Sequence, residues 1–345
     1  MKFTPFLLSA CLVCLAALSA PLVAAQMSAG SPELLKKNLV DIGGGRRLNI
    51  VCIGEGSPVV VFEDGANGHM LNWQKVQAPV SAMARACFYD RAGYGFSDPS
   101  SEPMTAEMVT DDLHALLHKT GINTPVVLVG HALGGLYATL YADRFESQVA
   151  GLVLVDPSFA GQHLQERSAA RLRLDQAVYE KGLARLAACA DLARHGKLSL
   201  ANPRGCFKLA PGRTPEEIAY LMEQYLKPFR YESVISESKN FCWFGANAAT
   251  ADGMEEATTA RPFADMPLIV LTAGIAPVFA GESEETQRLF SADWKAGHER
   301  LARRSTRGES IVVAGATHFI PGDKPEQVVD AITKVVREVR TGHAN

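Results

Sequence analysis

From residue 39 onwards, apolar positions fall alternately into short runs and helical stripes. Leu39-Val40-Asp41-Ile42 and Arg47-Leu48-Asn49-Ile50-Val51 flank Gly43-Gly44-Gly45, a pattern that predicts a hairpin. Pro58 to Phe62 is an unbroken apolar run, as expected of a strand buried on both faces. Ala86–Tyr89, Val126–Val129, Gly151–Val155, Leu268–Leu271 and Ser310–Val313 are further strand candidates. Between them lie amphipathic helices. Val109, Leu113, Leu116 and Leu117 keep one helical face apolar, with Thr105 placed to cap it. Val328, Ile332, Val335 and Val336 repeat that spacing behind Pro325, which suits a first helical position. Strands alternating with such helices imply an α/β protein with a mostly parallel sheet covered on both faces.

The alternation stops from residue 158 to 263. Gln162–Arg194 and Thr214–Lys227 read as helices with no strand between them, and Thr214 with Glu217 forms a capping box. No linker rich in Gly, Ser and Pro bounds the segment, so it reads as a helical lid inserted after the sixth strand rather than as a second domain. Residues 26–157 and 264–345 then form the core.

The beginning of the chain follows a different pattern. Met1-Lys2 precedes an apolar run from Phe3 to Ala25 that closes on Val23-Ala24-Ala25, which reads as a signal peptide, residues 1–25, cleaved before Gln26. The expectation is a secreted or periplasmic protein with no stable membrane anchor after cleavage. Export alters the meaning of cysteine, because bridges persist in oxidising compartments. Of Cys52, Cys87, Cys189, Cys206 and Cys242, one must stay unpaired. Cys189–Cys206 would close a loop of about 16 residues, worth roughly 3 kcal/mol in the chain-entropy account. Composition narrows the classes further. With 34 basic and 37 acidic side chains, a net charge of −3 and 47% hydrophobic residues, the chain has neither the balance of a nucleic-acid arm nor the composition of a disordered one.

Val126-Val127-Leu128-Val129-Gly130-His131-Ala132-Leu133-Gly134-Gly135 is an apolar strand, a turn of small residues and the start of a helix over Leu136–Phe145. That context is what a nucleophile elbow requires. Asp90-Arg91-Ala92-Gly93-Tyr94-Gly95-Phe96-Ser97-Asp98, Val59–Asn67, Leu268–Gly274 and Ala314-Gly315-Ala316-Thr317-His318 complete a set that resembles the α/β-hydrolase fold family over roughly 37–157 and 264–340. The resemblance implies an eight-stranded, mostly parallel sheet in the order 1-2-4-3-5-6-7-8. It would place Cys52 beside Cys87 on adjacent strands, a second candidate bridge.

The resemblance also implies roles. His318 is the candidate base. The position after the seventh strand, where the family commonly keeps its acid, holds no carboxylate, so Asp156 at the end of the sixth strand is preferred, with Glu282 and Glu284 as alternatives. Oxyanion donors would be the backbone amides of Leu133 and Ala66. Met70, Trp73, His131, Phe241, Trp243 and Phe244 are candidates to line a substrate pocket. His114 and His118 stand four apart with no third ligand, so neither metal nor cofactor is implied.

The departure from the family lies at the elbow's centre, where Ser is expected and Ala132 stands. A methyl group cannot attack, and removing such a nucleophile costs on the order of 10⁶ in rate. Three readings follow: a Ser→Ala substitution in a hydrolase of carboxylic esters, lactones, thioesters or amides; a non-catalytic relative that binds a small molecule; or replacement of an Asp nucleophile, as in haloalkane dehalogenases and epoxide hydrolases. The intact base loop and glycine-flanked turn favour the first.

Overall fold

The computed structural model describes residues 32–162, 169–241, 251–277 and 283–342. Residues 1–25, Glu282, Trp243, Phe244 and Cys242 lie outside them. In chain order the elements are β1 (Leu39–Gly43), β2 (Arg46–Ile53), β3 (Val60–Glu63), α1 (Gln74–Ser81), β4 (Ala86–Tyr89), α2 (Ala106–Lys119), β5 (Val126–His131), α3 (Leu133–Arg144) and β6 (Val149–Val155). They continue with α4 (Ala169–Arg194), α5 (Pro215–Tyr225), α6 (Pro228–Phe241), α7 (Ala251–Thr259), β7 (Leu268–Ala273), α8 (Glu284–Ala302), β8 (Gly308–Val313), α9 (Ile320–Asp323) and α10 (Pro325–Gly342).

One eight-stranded sheet runs β1-β2-β4-β3-β5-β6-β7-β8. The β1–β2 and β2–β4 pairs are antiparallel and the rest parallel. Side chains alternate across each strand, and the core divides accordingly. Val126 and Leu128 of β5 pack with Val109, Leu113 and Leu136 of α2 and α3. Val127 and Val129 face the other way, with Val76 of α1 and Ile332 and Val336 of α10. Pro58 stands outside β3, since it has no N–H for the ladder, and the strand continues instead to buried Glu63. The sheet is left open at its β8 edge, where Ile311 and Val312 are exposed.

Local signals place several helix starts. Thr105 accepts from the Met108 amide at 3.2 Å and starts α2. Thr214 and Glu217 exchange side-chain and backbone bonds at the start of α5. Helix α3 begins at Leu133, immediately after the elbow and earlier than its apolar pattern suggests.

Helices α4–α7 stand between β6 and β7 in the chain. They tie to the core by polar contacts as well as packing: Asp252 of α7 accepts from the Ala106 amide of α2 at 2.9 Å. Cys52 pairs with Cys87 directly across β2 and β4, and Cys189 with Cys206 between α4 and the loop that follows. Among the described residues no helix is long and apolar enough to cross a membrane.

Candidate active site

The C-terminal ends of the parallel strands bring the candidate residues together. At the end of β5, Ala132 has φ 51° and ψ −121°, a backbone region that side chains other than glycine rarely enter. Its neighbours hold it there. The Ala132 amide donates to Val155 O at 3.0 Å, and its carbonyl accepts from Gly135 and Ser158 at 2.9 and 2.8 Å. The loop after β3 lies close by: a Cβ on Gly134 would sit 2.4 Å from Asp64 O, and one on Gly65 would sit 3.1 Å from Ala132 Cβ. Glycine at both places lets helix and loop close on residue 132.

Asp156 leaves β6 with φ 43°. Its Oδ2 accepts from His318 Nδ1 at 2.6 Å, and its Oδ1 accepts from the Ala273 amide at 2.9 Å and Trp294 Nε1 at 3.1 Å. Burial alone would raise this carboxyl, but the hydrogen bond and charge of His318, helped by His298 and Ala273, bring it to about 2. Asp156 is therefore ionised and acceptor-only, which puts the Nδ1 proton on His318 and leaves its Nε2 free.

His318 sits in the loop between β8 and α9, its side chain 30% exposed against 3% for Asp156. That loop is pinned twice. Asp323 accepts from the Thr317 amide at 2.8 Å, and His131 Nε2 donates to His318 O at 2.9 Å. Burial, with the charge of His318, lowers His131 to about 3, so it serves as a neutral donor. On the far side of Asp156, buried His298 donates from Nε2 to Pro157 O at 2.9 Å and pairs through Nδ1 with Thr272 Oγ1 at 2.7 Å.

Ala132, Leu133, His131, His318, Gly65 and Ala66 border one cavity of about 440 Å³. Leu133 is the first residue of α3, so its N–H has no acceptor within its own helix. Asp64, at the root of the same loop, is pushed up to about 7 by burial, against the pull of Arg91 and the Gly65 amide. The opposite wall comes from the inserted segment and includes Phe207, Leu221, Arg230 and Phe241.

Several expectations need correction. Met70 and Trp73 do not border the cavity; both are fully buried in the core cluster on the α1–α10 side of the sheet, where Trp73 packs on Phe62 at 5.0 Å. They fall in a short helical turn whose apolar side faces the sheet rather than the loop ahead of it. Glu284 is exposed in the first turn of α8, capped by Ser283; its charge complements the helix dipole, and His318 pairs with Asp156 instead. Trp294, the donor to Asp156, was not legible in the sequence, because its position in α8 follows an ordinary helical pattern.

A sheet of this order, with an elbow, a carboxylate–imidazole pair and a glycine loop at the same strand ends, defines an α/β hydrolase. The alpha/beta hydrolase family model matches residues 65–331, and the chain belongs to that family. It is 36% identical over 129 residues to "Probable transporter efuK" of Hormonema carpetanum, an overlap of 35% of this chain and 18% of that one. The chain spans only 15 to 22% of the length of the first curated relatives it matches. A thermophilic esterase from Thermogutta terrifontis aligns over 88% of this chain and 99% of its own, with a TM-score of 0.57 and 21% identity. The epoxide hydrolase CorEH aligns over 88% and 99%, at 0.60 and 18%. At these identities the likeness is one of fold.

Proposed function

We propose that the chain carries the machinery of an exported serine-type hydrolase of carboxylic esters, or of a related lactone, thioester or amide, with alanine in the nucleophile's place. The observation that carries this reading is the 2.6 Å bond from His318 Nδ1 to Asp156 Oδ2, with His318 and Ala132 on the same cavity. A serine at 132 would add to the carbonyl carbon as His318 Nε2 takes its proton. The Leu133 and Ala66 amides would hold the oxyanion. His318 would return the proton to the leaving group as the tetrahedral species collapses to an acyl-enzyme, and water would then release the acid by the same path. Asp156 would fix the tautomer and stabilise the imidazolium.

With Ala132 the first bond cannot form, and the protein should bind its ester without turning it over. Ala132→Ser should confer hydrolysis of a chromogenic short-chain ester at a rate on the order of 10⁶ above the parent. A folded serine variant that cleaves nothing across an ester library would move the assignment to a binding protein. Halide release or epoxide opening by Ala132→Asp would move it to the aspartate chemistry. The apolar leader and the two disulfides support export; N-terminal sequencing of the secreted form should begin at Gln26.

A further inference from the structure

The loop from Asp64 to Gly68 is held from two sides by a buried set of charges that the chemistry above does not use. From the core, Arg91 Nη1 donates to Asp64 O at 2.6 Å and Nη2 to Gly65 O at 2.8 Å. From α6, Glu237 Oε2 accepts from the Asn67 amide at 3.2 Å, while Arg230 Nη2 donates to Asn67 O and Oδ1 at 3.1 and 2.5 Å. Backbone groups on both sides of Ala66 are thereby fixed, and Asn67 is kept at φ 58°, a left-handed conformation that must be held.

The charges are mutually dependent. Arg91 pairs with Glu63 at 2.7 Å and with Glu237 at 2.9 Å, and all three side chains are at most 4% exposed. Arg230 lies 4.2 Å from the centre of the Tyr94 ring, and the Tyr94 hydroxyl donates to Glu237 at 2.7 Å. Arg91 thus bridges a carboxylate of β3 and one of α6, while Arg230 reaches the set through the Tyr94 ring. Desolvating four charges is costly, and apolar side chains of similar size often serve stability as well or better. What this set supplies that apolar packing would not is directed hydrogen bonds onto one short loop.

We infer that Arg230 and Glu237 of α6, with Arg91, are positioning residues for the oxyanion loop, so that docking of the inserted helices sets the direction of the Ala66 amide. This rests on the hydrolase reading for its catalytic meaning. Losing an oxyanion donor costs about 10²–10³ in kcat, and misdirecting one should cost part of that, with ground-state binding almost unchanged.

The test uses the pair Arg230→Gln with Glu237→Gln, which deletes one charge of each sign, and Arg230→Lys, which keeps the charge but loses the fork. In the protein as it stands, amide hydrogen exchange over residues 65–68 should quicken about tenfold or more in the pair, and less in Arg230→Lys, with β5 and α3 unchanged. In the Ala132→Ser background, Glu237→Gln alone, which does not border the cavity, should lower kcat about 10- to 100-fold with KM held within about threefold. Unaltered loop exchange in either folded variant overturns the inference, as does faster exchange with kcat intact. Should Ala132→Ser be inert, the hydrolase reading falls and the exchange measurement alone decides this one.

Discussion

Asp156 is buried yet ionised, and that combination ties its charge to stability as well as to chemistry. Its carboxyl lies at about 2 against an ordinary 3.8, so the unfolded chain binds its proton more readily. Stability from this group is complete above about pH 4 and is lost as the pH falls through 2. The depression amounts to about 2 kcal/mol at pH 6 and roughly 1 kcal/mol less at pH 3. Asp156→Asn should therefore shift the urea midpoint more at pH 6 than at pH 3; an equal shift at both would mean that the carboxylate's charge adds nothing to the fold. Residue 132 presents a related case. Its positive φ is imposed by hydrogen bonds to its backbone, so a serine placed there would inherit the geometry.

Among the elements, the inserted helices do two jobs: they wall the cavity and they clamp the loop opposite. Cys189–Cys206 joins α4 to the stretch that carries Phe207 and Lys208 at the cavity wall. It also sits in the small apolar cluster of Leu198, Phe207 and Tyr231. Replacing both cysteines by alanine should lower unfolding stability by roughly 3 kcal/mol in urea titrations, as loop-closure entropy requires. No change would show that this segment unfolds apart from the core. Elements whose ends carry their own signals were legible beforehand, such as the cap at Thr105, the Thr214–Glu217 box and Pro325. Within the insertion α4 and α5 were legible as well, but α6 and α7 were not, because they take their limits from packing on α2, α3, α4 and the 64–68 loop.

For the molecule as a whole, the decisive property is that one cavity receives residues from both the core and the insertion. The Ala132 protein should hold an ester intact, with its carbonyl oxygen directed at the Leu133 and Ala66 amides. A crystal soaked with the best substrate of the serine variant would show this, and a carbonyl seated elsewhere would remove those amides from the mechanism. Calorimetry adds a second check: a dedicated binding protein should keep its ligand affinity unchanged in His318→Ala.

Local pattern by itself determined the strands, the helices α2, α3, α4, α5 and α10 and the strand–turn–helix around Ala132, because each depends on periodicity or turn chemistry within a few neighbouring residues. The resemblance to the α/β-hydrolase family, rather than pattern alone, singled out the His318 loop and Asp156, since the turn after β7 carries no carboxylate. Only the tertiary structure decided which side chains meet across the chain: Trp294 with Asp156, His131 with the His318 carbonyl, and Arg230 and Glu237 with Asn67. Those contacts join residues far apart in sequence, and their partners are set by how helices dock on a sheet, a three-dimensional packing problem that leaves no periodic trace along the chain.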